Sequence, residues 1–339
     1  IKNIMKVCVL GSGLASLTLA KGLINHGIKV DLISNHIHNN YDKSQTLGIS
    51  QSNIDFLQDA MIEAIYKLTN GVRIAKQSED ELLIIMRGIY LQYSKNLDTH
   101  IDKQVYELNK KVLKYAVKTE VKKLVNISSV SAYGILTESP IQETMEGKPF
   151  IHYGVTKKAS EEYCKIFKGT YGLDTVNLRL FYAYGERYAT FDHSALVNFL
   201  DRAKKGEDLI IYGDGKQVRS YTYVSDIVDG ILSSVHGESN GEVYNISGGS
   251  TCNILELAET VLNVTKAKSN VVFSKPNEYR YSDDYVKIPL GVTKQLKDGT
   301  WIDERNYIAD NTKALKDFGY NPKINLVDGI NKTWEWMNK

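Results

Sequence analysis

The chain has 339 residues, 42% hydrophobic and 24% charged, and its 42 basic and 40 acidic side chains leave a formal charge of +2. That composition is ordinary for a globular protein and long enough for one large α/β domain or two smaller ones. It excludes a basic nucleic-acid footprint, a polybasic membrane patch and an apolar span of about 18 residues.

Met5 is a candidate natural start, with residues 1–4 an upstream extension, and no secretory leader is seen. Residues 6–10, KVCVL, are an apolar run of the kind that forms a buried parallel strand. A glycine-rich turn, an apolar-periodic helix and a second strand, IKVDLIS, follow. Residues 50–67 read as a helix, ELLIIM (81–86) as a strand and 99–118 as a helix. KKLVNISS (122–129) is a strand that ends in hydroxyl residues, followed by a helix over 153–170 and a strand over 174–181. Strands alternating with helices predict a parallel sheet wound with right-handed crossovers. After residue 182 the pattern loosens into short strands, a G-D-G turn and helices, with an irregular polar and aromatic stretch over 274–306. The expected fold is therefore α/β: a Rossmann-type, doubly wound sheet over 5–180 and a smaller mixed lobe over 181–339, with some interleaving. Cys8, Cys164 and Cys252 are far apart and in no metal spacing, so no metal site is expected and a reducing, cytoplasmic setting is.

Gly11, Gly13 and Ser16 stand between the first strand and the first helix. In that context the first glycine permits a tight turn, the second lets backbone approach a pyrophosphate, and the small third residue lets helix and strand pack closely. A purely structural turn is the alternative. An acidic residue about 20 positions on would accept the ribose hydroxyls of NAD. Here the second strand ends at Ser34 and Asn35 instead. With no carboxylate to repel a 2′-phosphate, NADP is expected slightly ahead of NAD, with Ser34 and Asn35 at the ribose.

In HYGVTKKASEEY (152–163), Tyr153 and Lys157 are four apart and share one helix face. A tyrosine with a pKa of about 10 is a poor acid or base at neutral pH, and a nearby cation favours its phenolate. Such a pair suits proton transfer, although an isolated Y-x-x-x-K is more often two surface residues. NISSVSAYG places Ser128, Ser129 and Ser131 at the carboxyl end of a strand, where ligands of open α/β sheets bind. Either these hydroxyls meet a substrate or they simply terminate the strand.

These segments together resemble the extended short-chain dehydrogenase/reductase family of NAD(P)-dependent nucleotide-sugar epimerases, dehydratases and reductases. The resemblance runs from about residue 99 to the end. It rests on ISSVSAYG, YGVTK, NLRLFYAYGER, YGDGKQVRSYTYVSDIVDGI, EVYNISGG and YIADNTKALKDFGYNPKINLVDGI. It implies that Tyr153 is the general acid/base, that Lys157 holds the nicotinamide ribose and lowers the tyrosine pKa, and that Ser129 orients the sugar oxygen. Arg219 would face the nucleotide diphosphate; the plainer alternative is pairing with Asp226 or another acid. Ser131 and Tyr182 would lie against the sugar, Tyr182 standing where many relatives carry asparagine, although packing is an alternative for it. A homodimer formed through the helices at 99–118 and 153–170 is implied, as is a role in surface-polysaccharide biosynthesis.

The first hundred residues fit that family less well. They look more like the opening of flavin-dependent monooxygenases, but the acid those enzymes carry is absent and no later flavin motif follows, so FAD is not expected. Dehydratases of the family carry an Asp-Glu pair after the triad serine, whereas Val130 and Ser131 follow Ser129 here. No cysteine lies near 129–134 for 3,5-epimerisation. The expected activity is NAD(P)H-dependent reduction of a 4-keto sugar nucleotide. The alternatives are 4-epimerisation and a non-catalytic sugar-nucleotide-binding relative.

Overall fold

A computed structural model describes residues 6–10, 29–33, 82–87, 110–118, 120–136, 138–149, 152–186, 194–236, 241–274, 293–297, 301–303 and 305–339. The helix expected over 50–67 lies outside them.

Strands β1 (Lys6–Leu10), β2 (Lys29–Ile33), β3 (Leu82–Arg87), β4 (Lys123–Ser129), β5 (Thr175–Leu180) and β9 (Val243–Ile246) form a sheet in the order β2-β1-β3-β4-β5-β9. β1 runs parallel to β2 on one side and to β3 on the other, and β3 runs parallel to β4. The order turns back at β1, so the carboxyl ends of β1 and β3 flank the crevice where doubly wound sheets bind ligands. Helix α1 covers 110–118 and α2 covers His152–Tyr171. No described helix is long and apolar enough to cross a membrane.

The chain divides into two compact units. The first holds 1–128, 156–178 and 234–243; the second holds 129–155, 179–233 and 244–339. In the first, every residue of β4 up to Ser128 is buried, polar ones included. The donors among those polar groups are matched, as burial favours, while Asn126 Oδ1 has no protein partner. Lys123 Nζ lies 3.3 Å from an Asp174 carboxylate oxygen and also donates to Ser234 O. Asn126 Nδ2 donates to Ser160 Oγ at 3.1 Å and to Asn177 Oδ1 at 2.8 Å. Ser128 Oγ donates to the buried Glu161 at 2.5 Å.

The second unit has a three-stranded sheet, β10-β8-β6, made of β6 (Ala183–Tyr184), β8 (Val218–Tyr223) and β10 (Ser250–Asn253). β7 (Leu209–Tyr212) pairs with β11 (Val271–Ser274). Helix α3 (Ala195–Lys205) buries Leu196, Val197, Phe199, Leu200 and Ala203, starts under a Ser194 cap and stops at Gly206 with φ 70°. α4 (Val224–His236) follows β8 directly, and α5 (Ile254–Thr265) opens on an Asn253–Glu256 capping box. α6 (Thr312–Phe318) and α7 (Leu326–Met337) end the chain. The stretch expected to be irregular instead contains an antiparallel pair, β12 (Thr293–Gln295) with β13 (Trp301–Asp303). Strands of three residues are too short to show an alternating pattern.

Candidate active site

Ser129 ends β4 in an extended conformation, and its Oγ caps the short 3-10 turn Val130–Ala132 by accepting from Ser131 N at 3.2 Å. Strand termination, the plainer reading of this serine, is thus one of its roles. The cap also gives the hydroxyl a direction. One lone pair is occupied, and the O–H stays available to donate to a substrate oxygen. Gly134, φ 75°, turns the chain sharply where a Cβ would stand 1.8 Å from Lys148 O.

Beneath the turn lies an apolar cluster of Val130, Tyr133, Ile141, Phe181 and Tyr307. Tyr133 OH donates to Asn245 Oδ1 at 2.7 Å, and the Arg179 guanidinium lies 4.1 Å from the Tyr133 ring centroid. Burial pushes the Tyr133 phenol up to about 12 against the pull of Arg179, so it remains a donor. Asn245 Nδ2 donates to Ile141 O at 2.8 Å, and Asn245 N donates to Glu143 Oε1 at 2.7 Å. Burial raises the Glu143 carboxyl above its usual range. A raised folded pKa means that this group's contribution to stability is present below the unfolded pKa and is lost as pH rises through the folded one. Glu143→Gln keeps the acceptor and removes the charge. Urea midpoints measured from pH 4 to 8 should therefore fall less with rising pH in the variant than in the parent. Parallel curves would show that Glu143 is not the group responsible.

α2 presents Tyr153 in its first turn, half-buried. Gly154 lets the helix meet the Ser129 turn backbone to backbone: a Cβ there would lie 2.4 Å from Ser131 O. Tyr153 is thereby held beside the turn. Lys157, one helical turn along in the first unit, is 2% exposed and donates from Nζ to Ile127 O at 2.6 Å. The carbonyl that holds this ammonium is two residues before Ser129 on β4.

Arg219 lies in β8 and is buried. The acid that meets it is Asp303, 3.5 Å from Nη2. Asp226 instead accepts the backbone N–H groups of Lys323 and Ile324. Arg219 Nη1 also donates to Val218 O and Arg305 O. Asp303 simultaneously holds Arg305 in a fork at 2.8 and 2.6 Å. Burial alone would lower the Arg305 pKa, but its hydrogen bonds and charge interaction with Asp303 more than reverse this. Two guanidinium groups against one carboxylate leave a net positive cluster, which favours an anion. Tyr182 packs beside it, 5.7 Å from the Arg219 guanidinium and 5.8 Å from the Tyr221 ring. Its φ of 30° lies where side chains are rarely found.

Ser129, Ser131, Tyr153, Tyr182 and Arg219 thus all belong to the second unit, whereas Lys157 belongs to the first. Gly11, Gly13, Ser16, Ser34 and Asn35 lie outside the described residues. Among the described residues, β1 ends at Leu10 and β2 at Ile33, the carboxyl edge of the sheet at its switch point. That placement fits a dinucleotide. Sequence reasoning missed Tyr133, Asn245, Asp303, Arg305 and Tyr307. A lone asparagine in the apolar strand EVYNI was a signal for Asn245. Asp303 and Arg305 gave none.

A parallel doubly wound sheet, a capped serine at the end of β4 and a Tyr-x-x-x-Lys helix define a Rossmann-type α/β fold. The chain belongs to the NAD dependent epimerase/dehydratase family, whose model matches residues 7–247. It is 27% identical over 228 residues to a putative UDP-glucose 4-epimerase of Methanocaldococcus jannaschii, covering 67% of this chain and just under two thirds (66%) of that relative. It superposes with TM-score 0.74 and 20% identity on UDP-N-acetylglucosamine 4-epimerase from Methanobrevibacter ruminantium M1, solved with UDP-N-acetylmuramic acid, over 99% of this chain and 98% of the other. With the UDP-glucose 4-epimerase of Thermus thermophilus, solved with NAD, the TM-score is 0.70 at 20% identity, over 98% of this chain and 99% of the other.

Proposed function

We propose that the chain is a nucleotide-sugar 4-epimerase that works at C4 of the hexose and takes a UDP-hexose. The observation that carries this is the turn after β4. Its Ser129 Oγ accepts from Ser131 N and keeps its O–H to donate, Gly154 of the Tyr153 helix packs against Ser131 O, and the turn Val130–Ala132 has no carboxylate of its own for eliminating water. NAD, when bound, supplies reversible hydride transfer. Tyr153 takes the C4 hydroxyl proton and gives it back, so proton and hydride both return to the sugar. Ser129 donates to the C4 oxygen and holds it facing Tyr153. Lys157 supplies a fixed cation one turn along the same helix. Arg219 and Arg305 neutralise the diphosphate, and Ser131 and Tyr182 border the sugar. In this reading residues 5–180 serve the dinucleotide and 181–339 the sugar nucleotide.

The ketoreductase expected from the sequence remains the second reading. Ser34 and Asn35, where NAD enzymes carry an acid, favour it together with NADP. The test is incubation of the purified protein with UDP-glucose and no added cofactor, with acid extraction of any retained dinucleotide. Formation of UDP-galactose and about one NAD per chain supports the epimerase. NADPH-dependent consumption of a 4-keto sugar nucleotide with nothing retained replaces it by the reductase. Binding of UDP without turnover leaves only the non-catalytic relative.

We also propose a cytoplasmic homodimer formed through α2. That helix leaves Val155 (50%) and Ile166 (55%) exposed, eleven residues apart and therefore close to one face. Ile166→Glu is expected to sediment as a monomer at concentrations where the parent is a dimer. A parent that is already monomeric would sink the idea.

A further inference from the structure

Tyr307 was invisible as a functional residue in the sequence, and its contacts run in two directions. Its backbone lies against β8 beside Arg219: Tyr307 N donates to Val218 O and Tyr307 O accepts from Ser220 N, both at 3.0 Å. Its ring lies 5.0 Å from the Arg219 guanidinium and 6.2 Å from the Tyr182 ring. Its hydroxyl points the other way and donates to Gly134 O at 2.7 Å. Gly134 N in turn donates to Ser131 O, and Ser131 N donates to Ser129 Oγ. Every member of this chain of contacts belongs to the second unit. Burial raises the Tyr307 phenol, so it stays a donor across the working pH range.

We propose that Tyr307 is a positioning residue that couples the anion-binding Arg219 cluster to the turn that aims Ser129. This rests on the functional reading above. The diphosphate would draw on the face of Arg219 while the Tyr307 ring steadies the other side of that guanidinium. The same side chain fixes the turn that must present the Ser129 hydroxyl to the sugar. A purely structural tyrosine would fill the Val130–Tyr133–Phe181 cluster equally well as phenylalanine. A coupling tyrosine would not, because phenylalanine abandons the Gly134 carbonyl.

The test uses the full chain, UDP-glucose for turnover and UDP for binding. Tyr307→Phe is expected to lower kcat about tenfold while the KM for UDP-glucose and the Kd for UDP stay within about twofold, in line with the loss of one buried hydrogen bond. In a Ser129→Ala background the same substitution should add less than about twofold, because the turn then has no hydroxyl left to aim. Tyr307→Met also removes the ring from Arg219, so the KM should rise as well. An unchanged kcat in Tyr307→Phe, or a full tenfold loss added to Ser129→Ala, overturns the coupling while the functional reading stands. A parent that neither binds UDP nor turns over UDP-glucose removes both.

Discussion

Tyr153→Phe is expected to lower kcat on the order of a thousandfold while leaving the melting temperature and UDP affinity near those of the parent. The magnitude follows from the role. Tyr153 is joined to the Ser129 turn through the close approach of Gly154 to Ser131 O, and it precedes Lys157 by one helical turn. Phenylalanine keeps the ring and removes the proton acceptor. The binding cluster around Arg219 is untouched, so KM should move little. Lys157→Met is a useful partner to it. That substitution breaks the 2.6 Å bond to Ile127 O as well as removing the charge, so it should lower both activity and stability, whereas Tyr153→Phe lowers activity alone. Steady-state rates on UDP-glucose, paired with thermal melts, separate the two. A Tyr153→Phe enzyme within tenfold of the parent would remove Tyr153 from the chemistry.

The parts of the fold that could be read in advance are those encoded locally. β1 and β4 are dense apolar runs with hydroxyls at the end of β4, and α2 is a long helical pattern. Their observed bounds lie within one or two residues of those expected. The positions of Ser129 at a strand end and of Tyr153 and Lys157 one turn apart on a helix were legible for the same reason, since both are spacings within one segment. The Arg219 site was legible only in half. Resemblance set Arg219 toward a diphosphate, with an acid as the plainer partner, but that the acid is Asp303 and that a carbonyl of Arg305, 86 residues away, accepts from it could not be read. The Tyr133–Asn245 bond spans 112 residues. No periodicity carries information across such separations. The left-handed φ of Tyr182 was equally hidden, because tyrosine is not a residue that announces that conformation. Resemblance contributed what spacing could not, namely the expected roles.

Two alanine substitutions in one helix should move stability in opposite directions. Glycine inside a helix ordinarily costs about 1 kcal/mol relative to alanine, so Gly→Ala is stabilising by default. Gly169 in α2 has nothing within 4 Å of where its Cβ would be, and Gly169→Ala should raise stability by about 0.5–1 kcal/mol with no change in kcat. Gly154 is in the same helix, but its Cβ would meet Ser131 O at 2.4 Å, Pro149 Cβ at 3.0 Å and Ser131 C at 3.1 Å. The nearest of these is backbone. Its residue is pinned on both sides, since Ser131 N donates to Ser129 Oγ and Gly134 N donates to Ser131 O. Overpacking against so fixed a neighbour costs about 1–3 kcal/mol, which outweighs the propensity gain. Gly154→Ala should therefore melt at a lower temperature than the parent. It should also lose at least about tenfold in kcat, because making room separates position 154 from Ser131 O and so shifts Tyr153 relative to the Ser129 turn. Should Gly154→Ala instead gain stability as Gly169→Ala does, the helix would not be seated on that turn. Tyr153 and Ser129 would then have no shared framework through which to act on one sugar oxygen.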